Sequence, residues 1–390
     1  MALDFSLTPE QEQIMEAVRK FAEKEISPGV IERDIKGEFH WEGWKKAAEF
    51  GLTGMPIPEE YGGQGYDVIT TMAAMVGLGK GSKDQGFNLS LGAHLVICTI
   101  PIWQWGTEEQ KKKYLPKLAS GEWIGAFALT EPNAGSDAFA LRTKAEPTPD
   151  GKYYILNGTK MFITNGPIAN VVLVAARVGE GKGAQGLTVF IVETGYPDYV
   201  EGFSVAQKLD KIGMRTSPTG ELVFEDLKVP AENVLGGVGN GAMVLIDTLT
   251  WERSLLIAPA IGSMELGLER AIKYSLERYQ FGKPIAKFQA IQHKIAMMKV
   301  YLEAARWLVY KSAWLRQQGI QSVLDASIAK LFLSEVGIKM ALDEIQIHGG
   351  YGLIREYEVE RGLRDALLAS IGGGTSEIQK TIIARTLLGI

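Results

Sequence analysis

The chemistry of this chain has to be sought in a few short segments. They are Leu129-Thr130-Glu131-Pro132-Asn133-Ala134-Gly135-Ser136-Asp137, Met161-Phe162-Ile163-Thr164-Asn165-Gly166, Arg278-Tyr279-Gln280-Phe281-Gly282-Lys283, Gln346-Ile347-His348-Gly349-Gly350-Tyr351-Gly352 and Gly374-Thr375-Ser376-Glu377-Ile378-Gln379. A further one, Leu249-Thr250-Trp251-Glu252-Arg253, sets a carboxylate ahead of apolar Leu255-Leu256-Ile257-Ala258. The chain has no zinc-ligand spacing, Walker loop or nucleophile elbow, so those routes to hydrolysis and phosphate binding are not encoded. Gly372-Gly373-Gly374 lacks the spacing and the preceding parallel strand of a dinucleotide fingerprint. Cys98 is the single cysteine, so no internal disulfide can form. A reducing, cytoplasmic setting is expected.

These segments need elements to hold them. The 390 residues are enough for two or three packed units. The content is 46% hydrophobic and 22% charged, with a net charge of −5. That is an ordinary globular balance and argues against a nucleic-acid binder, which would carry a basic face. Residues 1–125 read as helices. Thr8-Pro9-Glu10-Gln11 is a helix start with a capping box, Thr107-Glu108-Glu109-Gln110 repeats it, and Ile14, Val18 and Phe21 share one face. The N-terminus shows no basic region followed by an apolar core, hence no signal peptide is expected. Phe87–Trp105 is the most apolar window, but Asn88, Ser90, His94, Pro101 and Gln104 interrupt it, and a buried helix is the simpler reading.

Residues 126–235 read as an antiparallel β domain. Tyr153–Leu156 and Lys160–Thr164 flank Asn157-Gly158, a two-residue hairpin signal. Val171–Val178, Leu187–Glu193 and Glu221–Val229 are further strands. Residues 236–390 open on a glycine-rich turn, Gly236–Gly241, and continue as long helices over Glu265–Arg278, Gln289–Gln318 and Ser327–His348, a helical bundle. The fold class expected is α+β in the order α, β, α.

The five segments of the first group, in this order, resemble the signature stretches of the acyl-CoA dehydrogenases. The likeness runs from about residue 5 to the end. The resemblance implies FAD held between the β domain and the C-terminal helices. It implies Phe127, Leu129, Thr130, Phe162 and Thr164 beside the flavin ring, with Phe162 on its face and the Thr130 hydroxyl at its polar edge. Arg278, Phe281 and Gln289 would reach the diphosphate and adenine side. Gln346 and Gly350 would complete the FAD site of a neighbouring subunit. Thr375 and Glu377 match cofactor-contacting positions, and Ser136 matches one near the thioester arm. A homotetramer is the usual assembly, a dimer the exception.

The family reaction removes a proton from the α-carbon of an acyl thioester while a hydride leaves the β-carbon for the flavin. It needs a carboxylate whose pKa is raised by a dry site. Many members carry that glutamate directly before the final Gly-Thr; here that residue is Gly373. Glu252 matches the base of the isovaleryl- and long-chain-type branch, which lies on an earlier helix, just before an arginine. The competing reading is an exposed helical charge paired with Arg253. Gly372-Gly373 would leave room for a branched or cyclic acyl group. Thr250 stands where many CoA-using relatives have an aspartate. Trp251-Glu252, with Gly79–Gly86, Ala93-His94-Leu95 and Ile100-Pro101, resembles prolyl-carrier-protein dehydrogenases. The expected substrate is therefore a carrier-protein-bound acyl group such as a prolyl thioester, contacted by Ser136, Trp251, Arg253, Gly372 and Gly373; the alternative is a branched or short- to medium-chain acyl-CoA. His94 is a pocket residue or a buried structural one. Electrons would pass to an electron-transferring flavoprotein or, in an oxidase of the same fold, to oxygen. A non-catalytic scaffold is the remaining rival. No metal, nucleic-acid or membrane partner is expected.

Overall fold

The computed structural model describes residues 6–181 and 183–390; the opening Met1–Phe5, read above for targeting signals, lies outside the described residues. Both capping boxes form. Thr8 Oγ1 accepts from Gln11 N at 3.2 Å while Thr8 N donates to Gln11 Oε1 at 3.0 Å. Thr107 and Gln110 repeat the exchange at 3.2 and 3.0 Å. The helices so started are Pro9–Phe21 and Glu108–Ala119. The apolar window becomes helix Gln85–His94, a π-helical turn Leu95–Thr99 and helix Ile100–Trp105. By length and composition it could cross a membrane, but 83% of its apolar window is buried in protein, which is the signature of a core helix.

Eight strands form one sheet: β1 Gly125–Ala128, β2 Lys144–Pro147, β3 Tyr153–Thr164, β4 Val171–Arg177, β5 Leu187–Glu193, β6 Phe203–Lys208, β7 Thr219–Pro230 and β8 Val234–Leu235. The path is β6-β7-β3-β2-β4-β5-β8, with β1 beside β4. Most pairings are antiparallel as expected, but β1–β4 and the single β2–β4 pairing are parallel, so the sheet is mixed.

The Asn157-Gly158 hairpin is not formed. β3 runs straight through it, and its register against β7 shifts between Leu156 and Gly158. The reason is local. A Cβ on Gly158 would lie 2.5 Å from Thr143 Oγ1 on the neighbouring segment, so the glycine serves a close approach rather than a turn. Asn157 pins the irregularity, Nδ2 donating to Asp226 Oδ1 at 3.0 Å and Oδ1 accepting from Asp226 N at 2.8 Å. The signal was a β-bulge, not a hairpin.

Helices resume at Gly241. Gly241–Trp251 leads through a π-helical turn, Glu252–Leu256, into Ala258–Glu277. Pro259 in the first turn of that last helix cannot donate to the turn before it, which accounts for the break in helical register there. Gln289–Gln317 and Val323–His348 pack with Ala258–Glu277 as a bundle, and Ser376–Leu388 closes the chain. A small hairpin pairs Tyr279–Gln280 with Lys283–Pro284 between Ala258–Glu277 and Gln289–Gln317.

Candidate active site

Glu252 is the first residue of the π-helical turn, a widened helical geometry often found at functional sites. Part of its surface stays open, yet it sits deep enough that burial pushes its carboxyl up from the usual carboxylate range, against the opposing pull of Arg253 and Lys330. Across from it lies the turn Gly372–Gly374. Gly373 adopts φ +64°, and a Cβ built there would stand 2.8 Å from Glu252 Oε1 and 3.1 Å from its Cδ. The Glu252 carboxylate therefore occupies the space into which a side chain at 373 would project.

Three side chains hold that turn by its carbonyls. Arg253 Nε donates to Gly373 O at 3.1 Å. Gln379 Nε2 donates to Gly373 O at 3.1 Å and to Gly374 O at 2.9 Å. Lys330 Nζ donates to Gly374 O at 2.7 Å. Arg253 is buried, and burial lowers its pKa while Glu252 raises it. Lys330 is buried as well; burial brings its ammonium down to about 8, partly offset by Glu252. Thr375 caps the following helix, its hydroxyl accepting from Ile378 N at 3.3 Å, and Glu377 is exposed on the first turn.

A second group forms on the sheet. Phe127 on β1 is buried; Leu129 and Thr130 follow it, half-buried. Thr130 O accepts from Met161 N at 2.8 Å, which sets this segment beside the end of β3. There β3 bulges a second time, between Lys160 and Ile163, and Phe162 is thrown out of the sheet at φ +62° with 65% of its surface exposed. A bulky residue held in that region is strained, and such strain concentrates at ligand sites. Among the described residues the hydroxyls of Thr130 and Thr164 have no hydrogen-bond partner. An exposed aromatic face beside two free hydroxyls fits a flat heteroaromatic ring with a polar edge. Glu252 and this group share a wall: the turn Leu95–Thr99 packs against both β1 and the turn Glu252–Leu256. His94 anchors that wall, Nδ1 accepting from Gly125 N at 3.0 Å and Nε2 facing Leu118 O at 3.1 Å and Thr53 O at 3.3 Å. It is thus the structural histidine of the two readings.

The third group is at the far end of the bundle. Arg278, Phe281, Gln289, Gln346 and Gly350 are all exposed, Phe281 by 92% at φ +50°. The Arg278 guanidinium lies 5.5 Å from the Tyr351 ring centroid, which brings the 278–289 and 346–350 stretches together. Two expected site residues stand apart. Ser136 is exposed, and no described hydrogen bond joins it to either inner group. Trp251 is turned into the core beneath the Arg316 guanidinium, 4.2 Å from its ring centroid, with Nε1 unpartnered.

Comparison with known proteins matches this architecture over almost the whole chain. Family models described as the acyl-CoA dehydrogenase N-terminal, middle and C-terminal domains cover residues 8–122, 126–227 and 239–388. The chain belongs to the acyl-CoA dehydrogenase family. The short-chain-specific acyl-CoA dehydrogenase of Megasphaera elsdenii is 44% identical over 389 residues, 99% of this chain and 100% of that one. The solved prolyl acyl carrier protein oxidase AnaB superposes with a TM-score of 0.95 at 41% identity, covering 99% and 100% of the two chains. The complex of PigA with FAD and proline gives a TM-score of 0.94 at 36% identity over 99% of each. This acyl-CoA dehydrogenase family member is accordingly an FAD-dependent oxidoreductase acting on CH–CH bonds.

Sequence reading missed the supports of the site. Lys330 falls inside the expected helix 327–348 and Gln379 ends the Gly374–Gln379 segment, and neither is marked as a support by the sequence. Lys160 falls in an expected strand with no role assigned, yet its Nζ is buried on Leu129 O at 2.9 Å and Glu131 Oε1 at 2.8 Å. Glu131 also accepts from Arg142 N at 2.6 Å and from Thr143 N at 2.9 Å. This buried pair ties the Leu129–Thr130 segment to the strand that carries Phe162. The usable signal was a lysine in an otherwise buried strand position, since Lys is almost never fully buried without a partner.

Proposed function

We propose that Glu252 is the base that removes the α-proton of an acyl thioester during its α,β-dehydrogenation. The supporting observation is the contact with Gly373: the carboxylate stands where a side chain at 373 would emerge, in surroundings that raise its pKa toward working pH. Taking the proton at a carboxylate oxygen needs an ionised, unpaired carboxylate. No described salt bridge or hydrogen bond occupies Glu252; Arg253 Nε and Lys330 Nζ donate to the carbonyls of Gly373 and Gly374 instead. FAD, when bound, supplies the hydride acceptor. Phe162 would cover its ring, and Thr130 and Thr164 would meet its polar edge, while Leu129 and Phe127 keep water from that side. Arg278, Phe281 and Gln289, with Gln346 and Gly350, would serve the nucleotide end across a subunit contact. The exposed Leu387, Leu388 and Ile390 support self-association, for which a homotetramer is the proposed form.

For the substrate we favour a branched or cyclic acyl group on a carrier protein, such as a prolyl thioester. The likeness to a prolyl carrier protein oxidase and to a complex holding proline supports this. So does Thr250: its hydroxyl donates back to Ile246 O at 2.7 Å, so no acidic group stands there to meet a CoA arm. A short-chain acyl-CoA is the alternative, supported by the Megasphaera relative. The test offers isovaleryl and prolyl groups on CoA and on a holo carrier protein and follows anaerobic bleaching of the flavin. Fast bleaching only on the carrier protein is expected; fast bleaching by the CoA esters would overturn the carrier reading. Release of hydrogen peroxide in air would identify oxygen, and its absence an electron-transferring flavoprotein, as acceptor.

A further inference from the structure

The turn Gly372–Gly374 is a flexible sequence placed against the base, and glycine runs do not hold a conformation unaided. Lys330 comes to it from the N-terminal third of helix Val323–His348. Its side chain is buried at 2% exposure, and Nζ reaches Gly374 O at 2.7 Å. An ammonium buried with only a carbonyl for a partner is costly unless a negative charge lies near. The charged groups around Lys330 are Glu252, Arg253 and Glu377. Those around Glu252 are Arg253, on its own turn, and Lys330, from the facing helix. Arg253 cannot be deprotonated in practice and is directed to Gly373 O, so Lys330 is the adjustable cation of the set.

We propose that Lys330 is a positioning residue for the base: it fixes the Gly373–Gly374 turn against the Glu252 carboxylate and supplies the positive charge that keeps that carboxylate ionised. This rests on the reading of Glu252 as the base. Two separable consequences follow. Losing the Gly374 bond loosens the turn and lowers the rate at every pH. Losing the charge raises the pKa of Glu252 further, because a nearby opposite charge favours the ionised form. The base works only when deprotonated, so the acid limb of the rate profile moves to higher pH.

The experiment is the pH profile of flavin reduction by saturating thioester, measured on FAD-loaded wild type, K330Q, K330R and Q379L. K330Q keeps a donor for Gly374 O and removes the charge. Its acid limb should shift up by about 1 pH unit. K330R should restore the wild-type limb even if its plateau is lower. Q379L removes two carbonyl contacts but no charge, so its plateau should fall with the limb unmoved. An unshifted limb in K330Q, or an equal shift in Q379L, would overturn the proposal. E252Q is run alongside. If it still reduces flavin, the base assignment fails, whatever K330Q shows.

Discussion

Replacing Gly373 by alanine probes the site's geometry with one methyl group. The new Cβ would sit 2.8 Å from Glu252 Oε1, where ordinary contact begins at 3.4 Å. Glu252 must then retreat by about 0.6 Å, or the turn must open. Gly373 also lies at φ +64°, where an L-residue costs about 1–2 kcal/mol. The stability loss should therefore be about 1–2 kcal/mol, a modest drop in melting temperature for a chain of this size. The loss of rate should be larger, because a shift approaching 1 Å in a catalytic group costs about 100-fold. Stopped-flow bleaching of the flavin under anaerobic thioester, normalised to bound FAD, reads the rate; a thermal melt of the same sample reads stability. FAD content should be unchanged. A G373A variant that loses its stability increment but reduces flavin at the wild-type rate would refute the claim that the carboxylate works in that space.

Other substitutions test the supports. Phe162→Ala should weaken FAD binding about 2- to 12-fold, in line with about 0.5–1.5 kcal/mol for an aromatic pair, measured by flavin release on dilution. Lys160→Met should destabilise by about 3–5 kcal/mol because it leaves Glu131 buried and uncompensated, and adding E131Q should recover part of that loss in denaturant melts. His94 is fully buried, and burial brings its pKa down to about 4 from 6.5. The unfolded chain takes up that proton first, so stability contributed by the neutral ring falls as pH drops from 6.5 to about 4, by up to about 3 kcal/mol. Denaturant melts of H94Q across this window should show a correspondingly flatter profile. Glu252 has the opposite sign for a carboxyl: its raised folded pKa adds stability at low pH that is lost as pH rises through the folded value. At neutral pH E252Q should be no less stable than wild type, checked by thermal melts.

What was legible in the sequence depended on how local the cause was. Thr8-Gln11 and Thr107-Gln110 announce their helices because a capping box is complete within four residues. The signature segments were legible because Thr130, Phe162 and Thr164 stand in recognisable strings. Asn157-Gly158 misled because its glycine answers to Thr143, a neighbour distant in sequence. The parallel pairing of β1 with β4 was equally hidden, since register between distant strands leaves no mark in either. Trp251 looked like a pocket residue beside Glu252. One helical residue turns a side chain by about 100°, and the neighbour of a cleft residue can face the core, as Trp251 does beneath Arg316. Lys330 was illegible for the same reason in reverse: the Gly374 carbonyl it holds is 44 residues away, and nothing near Lys330 in sequence reveals it.

The central claim is that Glu252 carries the proton-abstraction step. The direct measurement is anaerobic reduction of bound flavin in E252Q against wild type, using whichever thioester bleaches the wild type. The account predicts that E252Q retains FAD and its melting temperature, while its flavin stays oxidised over the time in which the wild type bleaches completely. Bleaching of E252Q at a rate near that of the wild type would contradict it.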